Sequence, residues 1–413
     1  MTATQARHPA AGRLAIDGGT PVRSTPLAPW PSFAEDEVEA AAAVLRSGRV
    51  NYWTGPDCAA FEEAFAAHCG VQHAISLANG SLALELALIA AGIGPGDDVV
   101  TSPRTFIASA SSAALRGAQP VFADVDADSQ NITAETIRRA LTPRTKAIVV
   151  VHLAGWPCDM DPIMALAAEH GLTVIEDCAQ AHGATYKGRP VGSLGHYGAY
   201  SFCQDKIITT GGEGGMLVTN DAAGWARAWA FKDHGKSHAA VYGREHPPGF
   251  RWLHESFGSN WRMTGMQAAI GLRQLGKLPD WSARRRANAA QLNARLGALP
   301  ALRTTVPPSD IRHAYYKYYA FLRPERLHPA WSAQRVRDAI SAEGIPCMAG
   351  SCSEVYLERA FDRSPARPTE PLPVARALGE TSLMFMVHPT LTDADMDDAC
   401  TAVEKVLAVA TRG

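Results

Sequence analysis

Lys206 is the residue of this sequence best suited to covalent chemistry. It stands in Ser201-Phe202-Cys203-Gln204-Asp205-Lys206-Ile207-Ile208-Thr209-Thr210-Gly211-Gly212-Glu213-Gly214-Gly215, between an apolar run (Tyr197 to Phe202) and a glycine-rich turn. A lysine in such a place is ordinarily a surface charge. A lysine whose amine is held near a carbonyl, and kept partly deprotonated by its surroundings, forms a Schiff base instead. The glycines would let the backbone approach a ligand closely. Alone, the stretch leaves the surface reading ahead.

Asp177 changes the balance. It lies in Ile175-Glu176-Asp177-Cys178-Ala179-Gln180-Ala181-His182-Gly183, at the end of a strand predicted to be buried. A buried carboxylate is costly unless it is paired. It could cap a helix or join a structural ion pair. It could equally pair with a protonated ring nitrogen, which would keep a bound heteroaromatic ring an electron sink. Glu176 is the rival on composition, but strand alternation points it to the opposite face. A third element is Asn79-Gly80-Ser81-Leu82, a turn that opens a helix. Backbone N–H groups at a helix N-terminus make an anion site, although an ordinary serine cap would be spelled the same way. A helix terminus contributes only about 0.3–1 kcal/mol to an anion, up to ~2 when partly buried. Further phosphate ligands and a covalent lysine link would be needed to retain a cofactor.

These residues need a scaffold, and the chain supplies one. Glu35 to Ser47, closed by Gly48, suits a helix with a glycine stop. Strand-like runs at His73–Leu77, Asp98–Thr101, Gln119–Ala123, Lys146–Val151 and Leu172–Ile175 then alternate with helical runs at Ser81–Ala91, Thr105–Arg116, Thr133–Leu141 and Asp159–His170. Continuous apolar strands separated by helices predict a mostly parallel sheet covered on both faces, an α/β fold. Beyond Thr219 helical stretches dominate as far as Leu296, and Pro307-Pro308 suggests a boundary. The rest reads as a smaller α+β domain, with a strand at Tyr315–Leu322 and helices near Ser332–Ala342 and Asp393–Ala408. The organisation expected is an N-terminal arm (1–30), a large domain (31–285) and a small C-terminal domain (286–413). Ligands of open parallel sheets bind beyond the carboxyl ends of the strands. Asn79–Ser81, Ser102–Phe106, His152, Asp177–Gln180 and Ser201–Lys206 fall at such ends.

Composition narrows the partners. Of 413 residues, 39 are Lys or Arg and 41 Asp or Glu, a formal net charge of −2. Near-neutrality without a basic block argues against nucleic acid or a membrane surface as the main partner. Eight cysteines are scattered without a C-x-x-C pair, and Cys347 and Cys352 have no matching His/Cys cluster, so no metal site is expected. The scatter suits reduced thiols, and Met1 to Arg13 lacks the apolar core of a signal peptide, so a cytoplasmic location is expected. Asn131-Ile132-Thr133 fits the glycosylation pattern, which that location makes irrelevant.

Taken in order, the motifs resemble the DegT/StrS family of sugar aminotransferases, pyridoxal-phosphate (PLP) enzymes of fold type I. The resemblance spans nearly the whole chain. It rests on Trp53-Thr54-Gly55-Pro56, Asn79-Gly80-Ser81, Thr105-Phe106, Val151-His152 with Gly155, Glu176-Asp177-x-Ala179-Gln180-Ala181, Ser201-Phe202 with Lys206, Glu213-Gly214-Gly215, and Asn260-x-Arg262-Met263-Thr264 with Gln267-Ala268-Ala269. Each string is weak alone, and their order is specific. The resemblance implies that Lys206 is the Schiff-base lysine, Asp177 the partner of the pyridine nitrogen and Gln180 that of the ring hydroxyl. Phe106 would stack on the pyridine face. Gly80, Ser81, the backbone at Leu82, and Ser201 would hold the phosphate. Asn260 would reach the phosphate of a partner subunit, which implies a homodimer with shared sites, although Asn260 could instead cap the helix that follows it. The implied reaction moves an amino group from glutamate or glutamine to a keto sugar, most readily a nucleotide-linked keto-deoxysugar. Relatives that act on keto-cyclitols or make aminohydroxybenzoate share the same motifs. Relatives that dehydrate sugars carry histidine in place of the lysine, and Lys206 disfavours that branch. Retention of Lys206, Asp177 and Ser201 together argues against a non-catalytic regulatory protein. His313-Ala314-Tyr315-Tyr316 stands where the family often has His-x-Tyr-His. Tyr316 therefore replaces a histidine, either in the packing of the strand or at the substrate.

Overall fold

The computed structural model describes residues 13–412. Its strands are β1 (His73–Leu77), β2 (Asp98–Thr101), β3 (Gln119–Phe122), β4 (Thr145–Val151), β5 (Thr173–Asp177), the short β6 (Thr185–Tyr186) and β7 (Arg189–Pro190), β8 (Tyr197–Ser201) and β9 (Gly215–Thr219). Seven of these form one sheet in the order β1-β9-β8-β5-β4-β2-β3. From β8 to β3 every pair is parallel, whereas β9 runs antiparallel to both β8 and β1. The segment between β8 and β9 is the glycine-rich loop that carries Lys206, and it holds no crossover helix. The chain therefore returns beside β8 in the opposite direction.

Strand alternation distributes this sheet between two cores. Ile148 and Val150 of β4 enter one with Val174, Tyr200, Phe202 and Val218. Ala147 and Val149 enter the other with Ile175, Ala199 and Leu217. Each strand buries both faces because helices cover both, and this is why β4 is apolar along almost its whole length. The same alternation turns Glu176 and Asp177 to opposite faces.

Most expected elements are present within a residue or two. The helix at Glu35–Ser47 ends on Gly48 in the left-handed region. The helix expected from Thr105 starts only at Ala108. The residues before it are held as a turn, in which Thr105 N–H donates to the Cys352 carbonyl at 3.1 Å and the Pro103 carbonyl accepts from Val355 N–H at 2.9 Å. The helix Asp57–Cys69 was not anticipated. Its alanines blur the apolar stripe, although Cys58, Phe61, Phe65 and Cys69 are buried.

The remaining strands are β10 (Leu302–Thr304), β11 (Ile311–Arg312), β12 (Tyr318–Leu322) and β13 (Ser382–Phe385). β10, β12 and β13 make an antiparallel sheet, and β11 joins β6 and β7. A third core forms on the β10-β12-β13 sheet from Tyr318, Leu322, Val336, Ile340, Leu383, Phe385, Val403 and Leu407, and Leu14 inserts into it. Much of the expected arm is thus packed, with Arg23 paired to Asp395 and Asp398 at 2.8 and 2.9 Å. Residues 1–12, which include most of the segment read for a signal peptide, lie outside the described residues. The helix Gly265–Leu296 runs through residue 285 without a break. Ala268 and Leu278 pack in the main core, and Ala289, Leu292 and Leu296 pack in the third.

Candidate active site

The carboxyl ends of β4, β5 and β8 lie side by side, Val151 opposite Asp177 and Asp177 opposite Ala199. Asp177 ends β5 with its side chain buried. Its Oδ2 accepts from Ser109 Oγ at 2.7 Å, and its Oδ1 from Ala179 N–H at 3.1 Å. Burial pushes the carboxyl above its ordinary range, against the pull of these donors and of the Lys206 charge. Glu176, turned away, accepts from Gly192, Leu194 and Gly195 N–H at 2.6–2.8 Å and pairs with His152 Nε2 at 2.9 Å. Its role is to clamp the loop before β8. His152 Nδ1 accepts from Cys158 N–H at 3.0 Å, which puts the ring proton on Nε2, toward Glu176. His152, Glu176 and Cys178 form the one potential metal-ligating group among the described residues, and these bonds already occupy its carboxylate and imidazole.

The turn Asn79-Gly80 approaches the end of β8 so closely that a Cβ on Gly80 would lie 2.4 Å from Ser201 Cβ. Only glycine fits there. The cap of the helix Gly80–Ala90 is Asn79, whose Oδ1 accepts from Leu82 N–H at 3.0 Å. That N–H is therefore engaged, and the first-turn donors left to a ligand are those of Gly80 and Ser81. Ser201 Oγ accepts from Cys203 N–H at 3.3 Å. Gln180 Oε1 accepts from Ala154 N–H at 2.7 Å, so the amide nitrogen is its remaining donor. Phe106 stands 68% exposed at the head of the turn before Ala108. Asn260 is exposed and bridges in the backbone to Asp233. It does not cap the next helix, because that helix starts at Gly265 with Thr264 and Gln267 as its capping box.

Lys206 follows β8, with its Nζ 4.9 Å from the centre of the Tyr316 ring. Tyr316 Oη donates to Asp205 Oδ2. Trp30, from the N-terminal segment, donates its indole N–H to the Lys206 carbonyl at 2.9 Å. Tyr316 thus faces the lysine, while His313 stacks on Tyr315 and burial pushes it down to about 3. Sequence reasoning passed over Ser109, Asp205 and Trp30. Ser109 stands at i+4 from Thr105, whose hydroxyl it meets at 2.8 Å, but nothing in the sequence pairs either with Asp177. The segment Gly350–Tyr356 anchors the turn that carries Phe106. Arg104, fully buried, bonds Gln130 at 2.9 Å, Ser382 at 3.1 Å, the Ser351 carbonyl at 3.4 Å and Ser353. Asn131 is equally committed inside the fold, to the Trp156 carbonyl and Leu153 N–H. All eight cysteines are free.

An amine, a desolvated carboxylate, an exposed aromatic face, an amide donor and a helix terminus made accessible by a glycine are the groups a phosphorylated pyridine aldehyde requires. The donor set fits that cofactor. The fold and this set together define a PLP-dependent transferase of fold type I. The chain matches the model of the DegT/DnrJ/EryC1/StrS aminotransferase family over residues 31–404 and belongs to that family. It is an aminotransferase, and its cofactor is PLP. It is 40% identical to the GDP-perosamine synthase of Caulobacter vibrioides, over 84% of this chain and 89% of that one. It is 36% identical to the L-glutamine:2-deoxy-scyllo-inosose aminotransferase of Streptomyces kanamyceticus, over 96% and 97%. Among solved structures, the aminotransferase from Psychrobacter cryohalolentis superposes with a TM-score of 0.91 at 56% identity, over 93% of this chain and 100% of that one.

Proposed function

We propose that this enzyme transfers the amino group of glutamate or glutamine to the keto carbon of a sugar, most readily a nucleotide-linked keto-deoxysugar. It would act in the cytoplasm as a homodimer with two shared sites. The reading divides the chain into an arm (1–30), a cofactor-binding part (31–285) and a smaller part (286–413), the last two joined by the helix Gly265–Leu296. The observation that carries it is the convergence of Lys206, Asp177 and the Asn79-Gly80 turn at one end of the sheet, beyond β8, β5 and β1, in a chain of this family.

PLP, when bound, supplies an electron sink for the carbanion left by proton removal. The chain's own residues do the rest. Asp177, held by Ser109 and Ala179, presents its carboxyl group to the ring nitrogen in a desolvated position. Gln180 offers its amide nitrogen to the ring hydroxyl, and Phe106 a ring face. Gly80, Ser81, Ser201 and the backbone of the turn bind phosphate, with Asn260 of the partner subunit completing the site. Lys206 Nζ anchors the cofactor and acts as the base that takes the proton from the α-carbon of the amino donor. Among the described residues no helix is long and apolar enough to cross a membrane, in keeping with a reaction between water-borne substrates.

The near end-to-end match to the inosose aminotransferase favours a second reading, amination of a keto-cyclitol. Lys206→Ala is expected to abolish transamination while the fold survives. Borohydride reduction followed by peptide mapping should place the pyridoxyl group on Lys206, and a label on Lys187 or Lys232 overturns the assignment. A panel of nucleotide keto sugars and keto-inositols, with glutamate and glutamine as donors, decides between the two substrate classes.

A further inference from the structure

A second amine lies against the ring that Lys206 faces. Lys317 Nζ lies 4.6 Å from the centre of the same Tyr316 ring. The two nitrogens are therefore no farther apart than the sum of their distances to that ring. The ring is fixed by its hydroxyl on Asp205 Oδ2, and that oxygen lies 3.8 Å from Lys317 Nζ. The ammonium also donates to Met386 Sδ at 3.3 Å, a weak acceptor. The Lys317 side chain is only 14% exposed. We propose that Lys317 is a positioning residue for Lys206, its ammonium disfavouring a proton on Lys206 Nζ and on the bond that nitrogen makes to the cofactor.

The charges around Lys206 fix the sign. Asp177 faces it from β5 and Asp205 from its own loop, and both favour a proton there. His182, pushed down to about 3 by burial, is neutral. Cys203, on the same loop, is raised by burial and also stays neutral. Against the two carboxylates stand Lys317, on the segment before β12, and Arg285, on the helix Gly265–Leu296, which reaches both Lys317 and Asp205. His388, on the loop after β13, is pushed down to about 3 and adds no charge at neutral pH. Burial pushes the Lys317 amine itself down to about 8, with Asp205 resisting and Arg285 and Lys206 pushing the same way. The repulsion on Lys206 is thus present below about pH 8 and fades above it. A general base works best with an affinity for protons near the working pH, and a like charge lowers that affinity in a lysine already facing two carboxylates.

The inference rests on Lys206 holding the cofactor. The test is a titration of the cofactor absorbance of the holoenzyme between mildly acidic and alkaline pH, without substrate, for the wild type, Lys317→Met, Lys317→Arg and Asp205→Asn. Lys317→Met should raise the midpoint by about one pH unit. Lys317→Arg should keep it at or below the wild-type value, because guanidinium does not deprotonate. Asp205→Asn, at a half-exposed position, should lower the midpoint, and Lys317→Gln should raise it as Lys317→Met does, which keeps the test open if the methionine variant fails to fold. A wild-type holoenzyme whose pyridoxyl label maps elsewhere overturns both the reading of Lys206 and the inference. A label on Lys206 with a midpoint that neutralising Lys317 does not raise overturns the inference alone, whatever Asp205→Asn does.

Discussion

Asp177 shows how one residue is made useful by what surrounds it. Its carboxylate is buried, yet it is held by a hydroxyl, a backbone N–H and the charge of Lys206. Asparagine would fill the same space without a charge for the ring nitrogen. Neutralising one partner of a desolvated charge pair costs roughly 3–5 kcal/mol. If the loss falls on the transition state, the rate drops about a thousandfold, at ~1.4 kcal/mol per tenfold. Asp177→Asn is therefore expected to retain PLP, seen by absorbance, and to lose most of its turnover, seen in a glutamate half-reaction. Near-native turnover would remove Asp177 from this role. Glu176 is a poor substitute candidate, because its two oxygens already serve three backbone donors and His152.

At the scale of elements, the close packing of the Asn79-Gly80 turn against β8 brings the helix terminus and Ser201 together. A methyl group on Gly80 would push against Ser201 at a distance that real Cβ atoms do not adopt. Gly80→Ala is expected to weaken PLP binding at least tenfold, about 1.4 kcal/mol, with Lys206 still able to take the label. Equilibrium titration of the apoenzyme with PLP measures it, and an unchanged affinity would show that the turn is not part of the phosphate site. Much of this was legible in the sequence. Alternating apolar strands and helices specify a sheet with two covered faces, and the strand ends mark where Lys206, Asp177 and Ser201 meet. Local pattern could not disclose Ser109 on Asp177 or Trp30 on Lys206, because those contacts join residues 68 and 176 positions apart. Nor could it show that Asn79 caps the helix in place of Ser81, since both residue types are good caps. The antiparallel return of β9 was hidden because a short apolar run has the same appearance in either direction.

At the scale of the whole molecule, the prediction concerns a second subunit. Asn260 is exposed on its own chain, and its helix is capped by Thr264 instead. A two-fold interface presents the same patch twice, so one heterodimer can test the shared site. Lys206→Ala and Asn260→Ala chains, mixed under subunit exchange, should give a dimer with both lesions in one site and neither in the other. Activity should then rise well above either parent, toward that of one intact site per dimer. Verified heterodimers with no recovery, from an inactive Asn260→Ala parent, would confine Asn260 to its own chain.

The helix Gly265–Leu296 has a consequence for how such a protein can be recombined. Its first half is buried against the main core and its second half against the β10-β12-β13 core, on one unbroken rod. Exchanging C-terminal parts between relatives by cutting at residue 285 would graft a foreign half-rod onto a native one, with each half shaped for a different neighbour. A workable crossover has to carry the entire rod with one side and accept a mismatched surface on the other. The two parts of this enzyme are inherited together as one engineering unit, however separate their sheets are.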